Sequence, residues 1–146
     1  MAVRACTPAD VPRIIQLIKD LAAYELQPQA VVNSVEELTF DLFVEKCCFA
    51  LVFESENLIK GFALYYFGYS TWKGRTLYLE DIFVDELYRK EGIGQKLFDK
   101  VVQVAKTEKV RRMDWQVLEW NNPAIAFYKK NNALLDGEWI NGRLYF

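Results

Sequence analysis

Two glycines in the hexapeptide Arg89-Lys90-Glu91-Gly92-Ile93-Gly94 separate an apolar segment, residues 77–84, from a run of apolar residues at helical spacing. A strand, a glycine-containing turn and a helix in this order present backbone N–H groups to an anion, because the first helical turn has unbonded donors and a partial positive charge. The guanidinium of Arg89 also suits phosphate oxygens. The pattern predicts a phosphate-binding turn, with a plain change of chain direction as the alternative.

Two carboxylates, Glu80 and Asp81, interrupt the apolar segment before that turn. In a regular strand, alternation sends their side chains to opposite faces of the sheet. A carboxylate on a covered face must find hydrogen-bond donors or have its pKa raised, and such a group suits a general base. The alternative is that one carboxylate lies at an exposed strand end while the other accepts backbone hydrogen bonds.

Tyr128 lies in a predicted helix that starts at Asn122-Pro123. A phenol with an ordinary pKa near about 10 suits proton donation to a departing thiolate or alkoxide. The alternative is a half-buried tyrosine, one of eight in the chain. Because the chain contains no histidine, catalysis cannot use a Ser-His-Asp or Cys-His system or an H-E-x-x-H zinc motif.

The composition predicts one folded domain over residues 1–146, since 52% of the residues are hydrophobic. A net charge of -2 argues against a nucleic-acid partner held by a general basic field. The three cysteines, Cys6, Cys47 and Cys48, show neither a disulfide framework nor metal-ligand spacing. Without a membrane-length apolar run or a signal-peptide profile, we expect a cytoplasmic protein with no membrane partner and no metal.

Hydrophobic periodicity and capping signals predict a mixed order of strands and helices. The first strand covers residues 3–6, and Thr7-Pro8 starts the first helix, while Ser34 caps the second. Strands are predicted at residues 49–53, 58–67, 77–84 and 113–118, with a hairpin at 54–57 and a bulge at Gly61. Asn122 is the expected cap of the last helix and Asn131-Asn132 its stop, followed by closing strands at 134–135 and 143–146.

The glycine turn fits the R/Q-x-x-G-x-G/A acetyl-CoA loop of the GNAT N-acetyltransferases, and residues 121–128 resemble their N-x-P-A-x-x-F-Y segment. Residues 17–25, 61–67 and 77–81 are similar to the spermidine/spermine and thialysine N-acetyltransferase branch. The resemblance covers nearly the whole chain, from Val3 to Ala133. It implies an α/β (α+β) GNAT fold, with a mixed, mostly antiparallel sheet of about six to seven strands and about four helices.

The resemblance also implies an acetyl-CoA site. The pantetheine arm would pair with the backbone of Ile82, Phe83 and Val84. Residues implied at the pyrophosphate are Arg89, Lys90, Glu91, Gly92, Ile93, Gly94 and Gln95, and residues implied on the other side of the cofactor are Asn121, Ala124 and Tyr128. Glu80 would take the proton of the amine through water, and Tyr128 would protonate the departing thiolate. The implied amine contacts are Tyr24, Glu25, Glu80, Asp114 and Gln116.

The activity implied by the resemblance is direct transfer of acetyl from acetyl-CoA to a primary amine of a small molecule. The acceptor would be a diamine, a polyamine or a lysine-like amino acid such as thialysine. A protein or peptide amine and a non-catalytic acyl-CoA-binding module are the alternatives. Residues 136–142 differ from the G-W segment of the polyamine enzymes, which leaves the acceptor open. Members of the branch are commonly homodimers, so a homodimer is expected.

Overall fold

One mixed sheet runs through the computed structural model, which describes residues 2–146. Its strands are β1 (Ala2–Ala5), β2 (Phe49–Ser55), β3 (Leu58–Ser70), β4 (Gly74–Val84) and β5 (Arg112–Asp114). They lie side by side in chain order. Strands β1 to β4 pair antiparallel and β5 pairs parallel to β4.

Four α-helices accompany the sheet: α1 (Val11–Tyr24), α2 (Val35–Phe40), α3 (Ile93–Thr107) and α4 (Asn122–Lys130). A 3-10 turn, Pro8–Asp10, leads into α1, and α2 continues as a π-helical segment, Asp41–Glu45. The predicted cap of α2 is confirmed, because the Ser34 hydroxyl accepts a hydrogen bond from the Glu37 N–H at 3.1 Å.

The predicted fold class is confirmed, but the predicted strand count is too high. Five strands occur in residues 2–146, and the predicted closing strands at 134–135 and 143–146 are irregular. The fifth strand ends at Asp114, not at residue 118. An apolar sequence pattern indicates that a segment could form a strand. The strand forms only if a neighbouring strand completes its hydrogen bonds, and the pattern does not identify that neighbour.

The β2–β3 hairpin is confirmed with a tighter turn than the four residues predicted. Ser55 pairs with Leu58, so the turn consists of Glu56 and Asn57. Both have positive φ, 55° and 60°, which is the geometry of a type I′ turn. The bulge predicted at Gly61 falls one residue earlier, since Phe53 pairs with Gly61 but Glu54 pairs with Ile59.

Contacts divide the chain into two compact units, one that ends at Gln116 and a second formed by Val117–Phe146. The single domain predicted for residues 1–146 stays a prediction. The first unit contains the sheet and α1 to α3, and the second contains α4.

Both faces of the sheet in the first unit are covered by helices. The core on the α1 and α2 face consists of Val11, Ile14, Ile15, Leu17, Leu38, Leu42, Ala50, Val52, Phe62, Leu64 and Phe83. On the opposite face, Gly61 allows α3 to approach, because a Cβ there would lie 3.2 Å from Leu97 and 2.9 Å from the Phe83 carbonyl oxygen. Substituting Gly61 would therefore push the β3 bulge away from α3 and β4.

Candidate active site

A second bulge lies in β4 at Glu80. Leu64 pairs with Asp81 and Tyr65 pairs with Leu79, so Glu80 has no partner on β3. The extra residue breaks the alternation of side chains. The prediction that Glu80 and Asp81 lie on opposite faces of the sheet is therefore wrong. Glu80, the residue after Leu79, belongs to the face that α1 covers, and Asp81 lies on that same face with its partner Leu64.

The bulge leaves Asp81 partly buried while Glu80 is exposed. Burial, followed by the negative charges of Glu80 and Glu25, raises the pKa of Asp81 to about 7. Burial also raises the pKa of Glu25, at the carboxyl end of α1. The negative charges of Glu80 and Glu25 thus act on the more buried carboxyl group of Asp81, which can take up or release a proton near neutral pH.

Two tyrosines on the same face complete the surroundings of these carboxyl groups. Tyr66 pairs with Tyr78, and their ring centroids lie 5.2 Å apart. Burial and the charge of Glu80 raise the pKa of Tyr66, and they raise the pKa of Tyr78 to about 12. Both phenols therefore stay protonated at neutral pH and can donate hydrogen bonds.

On the side of β4 away from β3, pairing with β5 ends early. The last paired residues are Tyr78 and Asp114, and β4 continues without a β5 partner to Val84. The predicted pantetheine contacts, Ile82, Phe83 and Val84, all lie in this extension. A strand edge in this position has N–H and C=O groups that an extended ligand can bind as if it were another strand.

The glycine turn follows β4 after a short 3-10 turn, Glu86–Tyr88. Gly92 is the N-cap of α3 and has a φ of 79°, a left-handed value that favours glycine. A Cβ at Gly92 would meet nothing within 4 Å, and one at Gly94 would only touch Val84, at 3.8 Å. No steric conflict within the chain requires glycine at position 94, which is consistent with a ligand approaching the first turn of α3.

Arg89 lies between the predicted cofactor and amine contacts. Its Nε donates to the Val84 carbonyl at 3.1 Å. Its guanidinium carbon lies 5.0 Å from the ring centroid of Tyr24 and 5.1 Å from that of Phe83. The structure thus brings Tyr24, one predicted amine contact, directly against the start of the glycine turn.

Asp114 is the last paired residue of β5, and Gln116 follows it by two positions. The Asp114 carboxylate is held by Arg112 on the same strand, with an Nε–Oδ1 distance of 2.8 Å. This ion pair reduces the negative charge that Asp114 offers to an amine. Gln116 is exposed, at the end of the first unit. For both residues the substrate role stays a prediction.

The second unit contains the other predicted site residues, Asn121, Ala124 and Tyr128. The cap of α4 is Asn121 and not the predicted Asn122, because the Asn121 side chain accepts from the Ala124 N–H at 3.4 Å. The predicted helix stop is confirmed, since Asn131 is the C-cap of α4 and Asn132 after it has a φ of 65°. Tyr128 is buried, at 6% exposure, within this unit.

Two features of the site were missed from sequence. The β4 bulge had a signal in the two adjacent charged residues, Glu80 and Asp81, inside an otherwise apolar strand. The other feature is the ion pair between Arg13 and Asp85, with an Nη2–Oδ2 distance of 2.6 Å. It had no sequence signal, because the two residues are 72 positions apart.

Within residues 2–146, no helix is long and apolar enough to cross a membrane. No group of three or more Cys, Asp or Glu side chains in that range is arranged to hold a metal ion.

The model of the acetyltransferase (GNAT) family matches residues 15–133. The thialysine N-epsilon-acetyltransferase of Bos taurus is 39% identical over 140 residues, which are 90% of this chain and 82% of that protein. The spermidine/spermine N(1)-acetyltransferase-like protein 1 of Homo sapiens is 35% identical over 90% of this chain and 20% of its own length. A mutant protein from Bacillus halodurans has the same fold, with a TM-score of 0.85, 20% identity and coverage of 99% of this chain and 100% of its own.

Because the pKa of Asp81 is raised, one substitution at this position should stabilise the folded chain at alkaline pH but not at acidic pH. The folded pKa lies above the unfolded value of 3.8, so the wild type loses stability as the pH rises from about 4 through about 7. Asp81→Asn removes that loss. The variant should gain at least about 1 kcal/mol in free energy of unfolding at alkaline pH and nothing at acidic pH, measured by urea denaturation.

Asp10→Asn is the matched control of opposite sign, because the Arg4 hydrogen bond lowers the pKa of Asp10. It should destabilise the chain at neutral and alkaline pH, and its effect should vanish in acid. An Asp81→Asn variant that is no more stable than the wild type in alkali would contradict the raised pKa of Asp81.

Proposed function

The chain belongs to the acetyltransferase (GNAT) family and is an N-acetyltransferase, and we propose that it transfers acetyl from acetyl-CoA directly to a primary amine of a small molecule. The acceptor class is a diamine, a polyamine or a lysine-like amino acid such as thialysine. The names of the relatives support this class, since one acts on thialysine and another resembles spermidine/spermine acetyltransferases.

One observation carries the proposal. A single strand, β4, has the carboxyl groups of Glu80 and Asp81 at its bulge, an extension beyond its β5 partner, and the glycine turn shortly after its end. Acyl transfer to an amine needs a proton acceptor beside the amine and a fixed thioester. We propose that this strand provides the proton acceptor and, with the glycine turn, the site that fixes the thioester.

For acetyl-CoA, we propose that Ile82, Phe83 and Val84 bind the pantetheine arm through their backbone. The pyrophosphate would lie at residues 89–95, where Gly92 and Gly94 leave the first turn of α3 open. Asn121, Ala124 and Tyr128 are further proposed contacts of the cofactor. Acetyl-CoA supplies the thioester, and the chain supplies the orientation.

The acidic group at the end of α1 and on β4 would recognise the amine. Among residues 2–146, no cation or hydrogen-bond donor bonds the Asp81 carboxyl group. An ammonium group would relieve the repulsion among Glu25, Glu80 and Asp81, which is why we propose a cationic acceptor. Tyr24 is the proposed aromatic contact of the same amine, with Asp114 and Gln116 as outer contacts.

The ammonium must lose a proton before its nitrogen can attack. We propose that Glu80, which is exposed, takes this proton through water. Asp81 would be a second proton acceptor, because its pKa of about 7 suits a general base at neutral pH. The neutral nitrogen then forms a bond to the thioester carbonyl carbon, the C–S bond breaks, and the nitrogen loses its second proton to solvent, from which the Tyr128 oxygen is reprotonated after it acts. The phenol of Tyr128 gives its proton to the departing thiolate. The predicted cytoplasmic location and homodimer remain part of the proposal.

An acceptor panel tests the reaction. Purified protein with acetyl-CoA should release CoA with diamines, polyamines or lysine analogues, at kcat/KM values at least about 100-fold above those with lysine-containing peptides. Mass spectrometry should show the acetyl group on a primary amine nitrogen. Preference for the peptides would mean that the acceptor is a protein or peptide amine. Binding of CoA with no release of CoA from acetyl-CoA in the presence of any amine would favour the non-catalytic module.

Tyr128→Phe tests the proposed acid. The substitution removes one hydroxyl from a buried ring, so kcat should fall about 100-fold or more while the Kd for CoA changes little. Tyr145→Phe is the control, because Tyr145 is 88% exposed in the same unit. Equal kcat values for the two variants would exclude Tyr128 from proton transfer.

A further inference from the structure

The connection between β4 and the glycine turn is anchored at Asp85. The Asp85 side chain accepts from the Leu87 N–H at 3.0 Å, and its carbonyl accepts from the Tyr88 N–H at 2.9 Å. Its own N–H donates to the Lys60 carbonyl at 2.9 Å. The hydrogen bonds of one residue, Asp85, therefore hold the 3-10 turn Glu86–Tyr88, which ends immediately before Arg89.

Arg13, on α1, fixes this anchor from outside the loop. Its Nη2 lies 2.6 Å from the Asp85 Oδ2, and its Nε donates to the Ile59 carbonyl at 3.0 Å. The two side chains are 34% and 17% exposed, so the ion pair is partly shielded from water. One guanidinium thus joins α1, the β3 bulge and the β4–α3 connection, a fork geometry that lysine cannot reproduce.

Lys60 provides a second contact from the β3 bulge. Its side chain is 8% exposed and its Nζ lies 4.6 Å from the ring centroid of Tyr88. The same bulge therefore holds both Asp85 and Tyr88, the two ends of the segment that leads to Arg89. Burial alone would raise the pKa of Asp85, but the Leu87 N–H and Arg13 outweigh it and lower that pKa, so Asp85 is charged at neutral pH.

We propose that Arg13 is a positioning residue for acetyl-CoA, which acts through Asp85 by fixing the direction in which the chain enters the glycine turn. The inference rests on the proposed function, because it assumes that residues 89–95 bind the pyrophosphate. The first-turn N–H groups of α3 can bind a phosphate only if the preceding turn holds them in place. Arg13 is far from Arg89 in the sequence, and its ion pair is with Asp85, four residues before Arg89.

Arg13→Ala should raise the Kd for CoA about 10-fold in isothermal titration calorimetry. The KM for acetyl-CoA should rise by a similar factor with little change in kcat. S-acetylpantetheine lacks the pyrophosphate, so its kcat/KM should stay within about 2-fold of the wild-type value. Arg13→Lys keeps the charge opposite Asp85 but cannot also bond the Ile59 carbonyl, so it should recover only part of the affinity.

Arg4→Ala is the matched control, because it breaks a comparable ion pair, Arg4 to Asp10 at 2.7 Å, next to the start of α1. It should lower the melting temperature without changing the Kd for CoA. If Arg13→Ala fails to fold, Asp85→Asn replaces it and should show the same 10-fold loss, because the amide oxygen still caps Leu87 while the charge pair is lost.

In a double-mutant cycle, Arg13→Ala combined with Asp85→Asn should bind CoA no more weakly than either single variant. Additive losses would show that Arg13 does not act through Asp85. A wild-type chain that binds CoA with the same Kd as the folded variants would overturn this inference alone. A wild-type chain that does not bind CoA would overturn the proposed function and the inference with it.

Discussion

The unpaired residue Glu80 in β4 is the constraint on which the site depends. A regular strand would place Glu80 and Asp81 on opposite faces, one of them against α3. Because Leu79 and Asp81 pair with adjacent residues of β3, both carboxyl groups instead belong to the face that α1 covers. Burial and mutual repulsion then raise the pKa of Asp81 to about 7. A strongly shifted pKa of this kind is common at functional sites.

The same strand connects the acidic group to the glycine turn. Beyond Tyr78 it has no β5 partner, and at Val84 it passes into the anchored connection that leads to Arg89. Arg89 contacts the rings of Tyr24 and Phe83, so a proposed amine contact and a proposed cofactor contact share one guanidinium.

The family resemblance allowed the fold class to be predicted. The β2–β3 hairpin, the Ser34 cap and the Asn132 stop could be predicted because each depends on residues close together in the chain. Features that depend on a distant partner were missed or misplaced. The closing strands lacked a neighbour, the β4 bulge follows from its register with β3, and the Arg13–Asp85 pair joins residues far apart in the chain. Asn121 and Asn122 are both good caps, and only the helix geometry distinguishes them.

The central claim is that the β4 bulge sets the amine beside Glu80 and Asp81 while the glycine turn holds the cofactor. A crystal structure with a bisubstrate analogue, in which CoA is joined through an acetyl linker to a diamine, tests it most directly. The account predicts pyrophosphate oxygens within about 3 Å of N–H groups at residues 90–95, and an amine nitrogen within hydrogen-bond reach of Glu80 or Asp81, directly or through one water. An amine bound away from the bulge, or a pyrophosphate away from the first turn of α3, would contradict it.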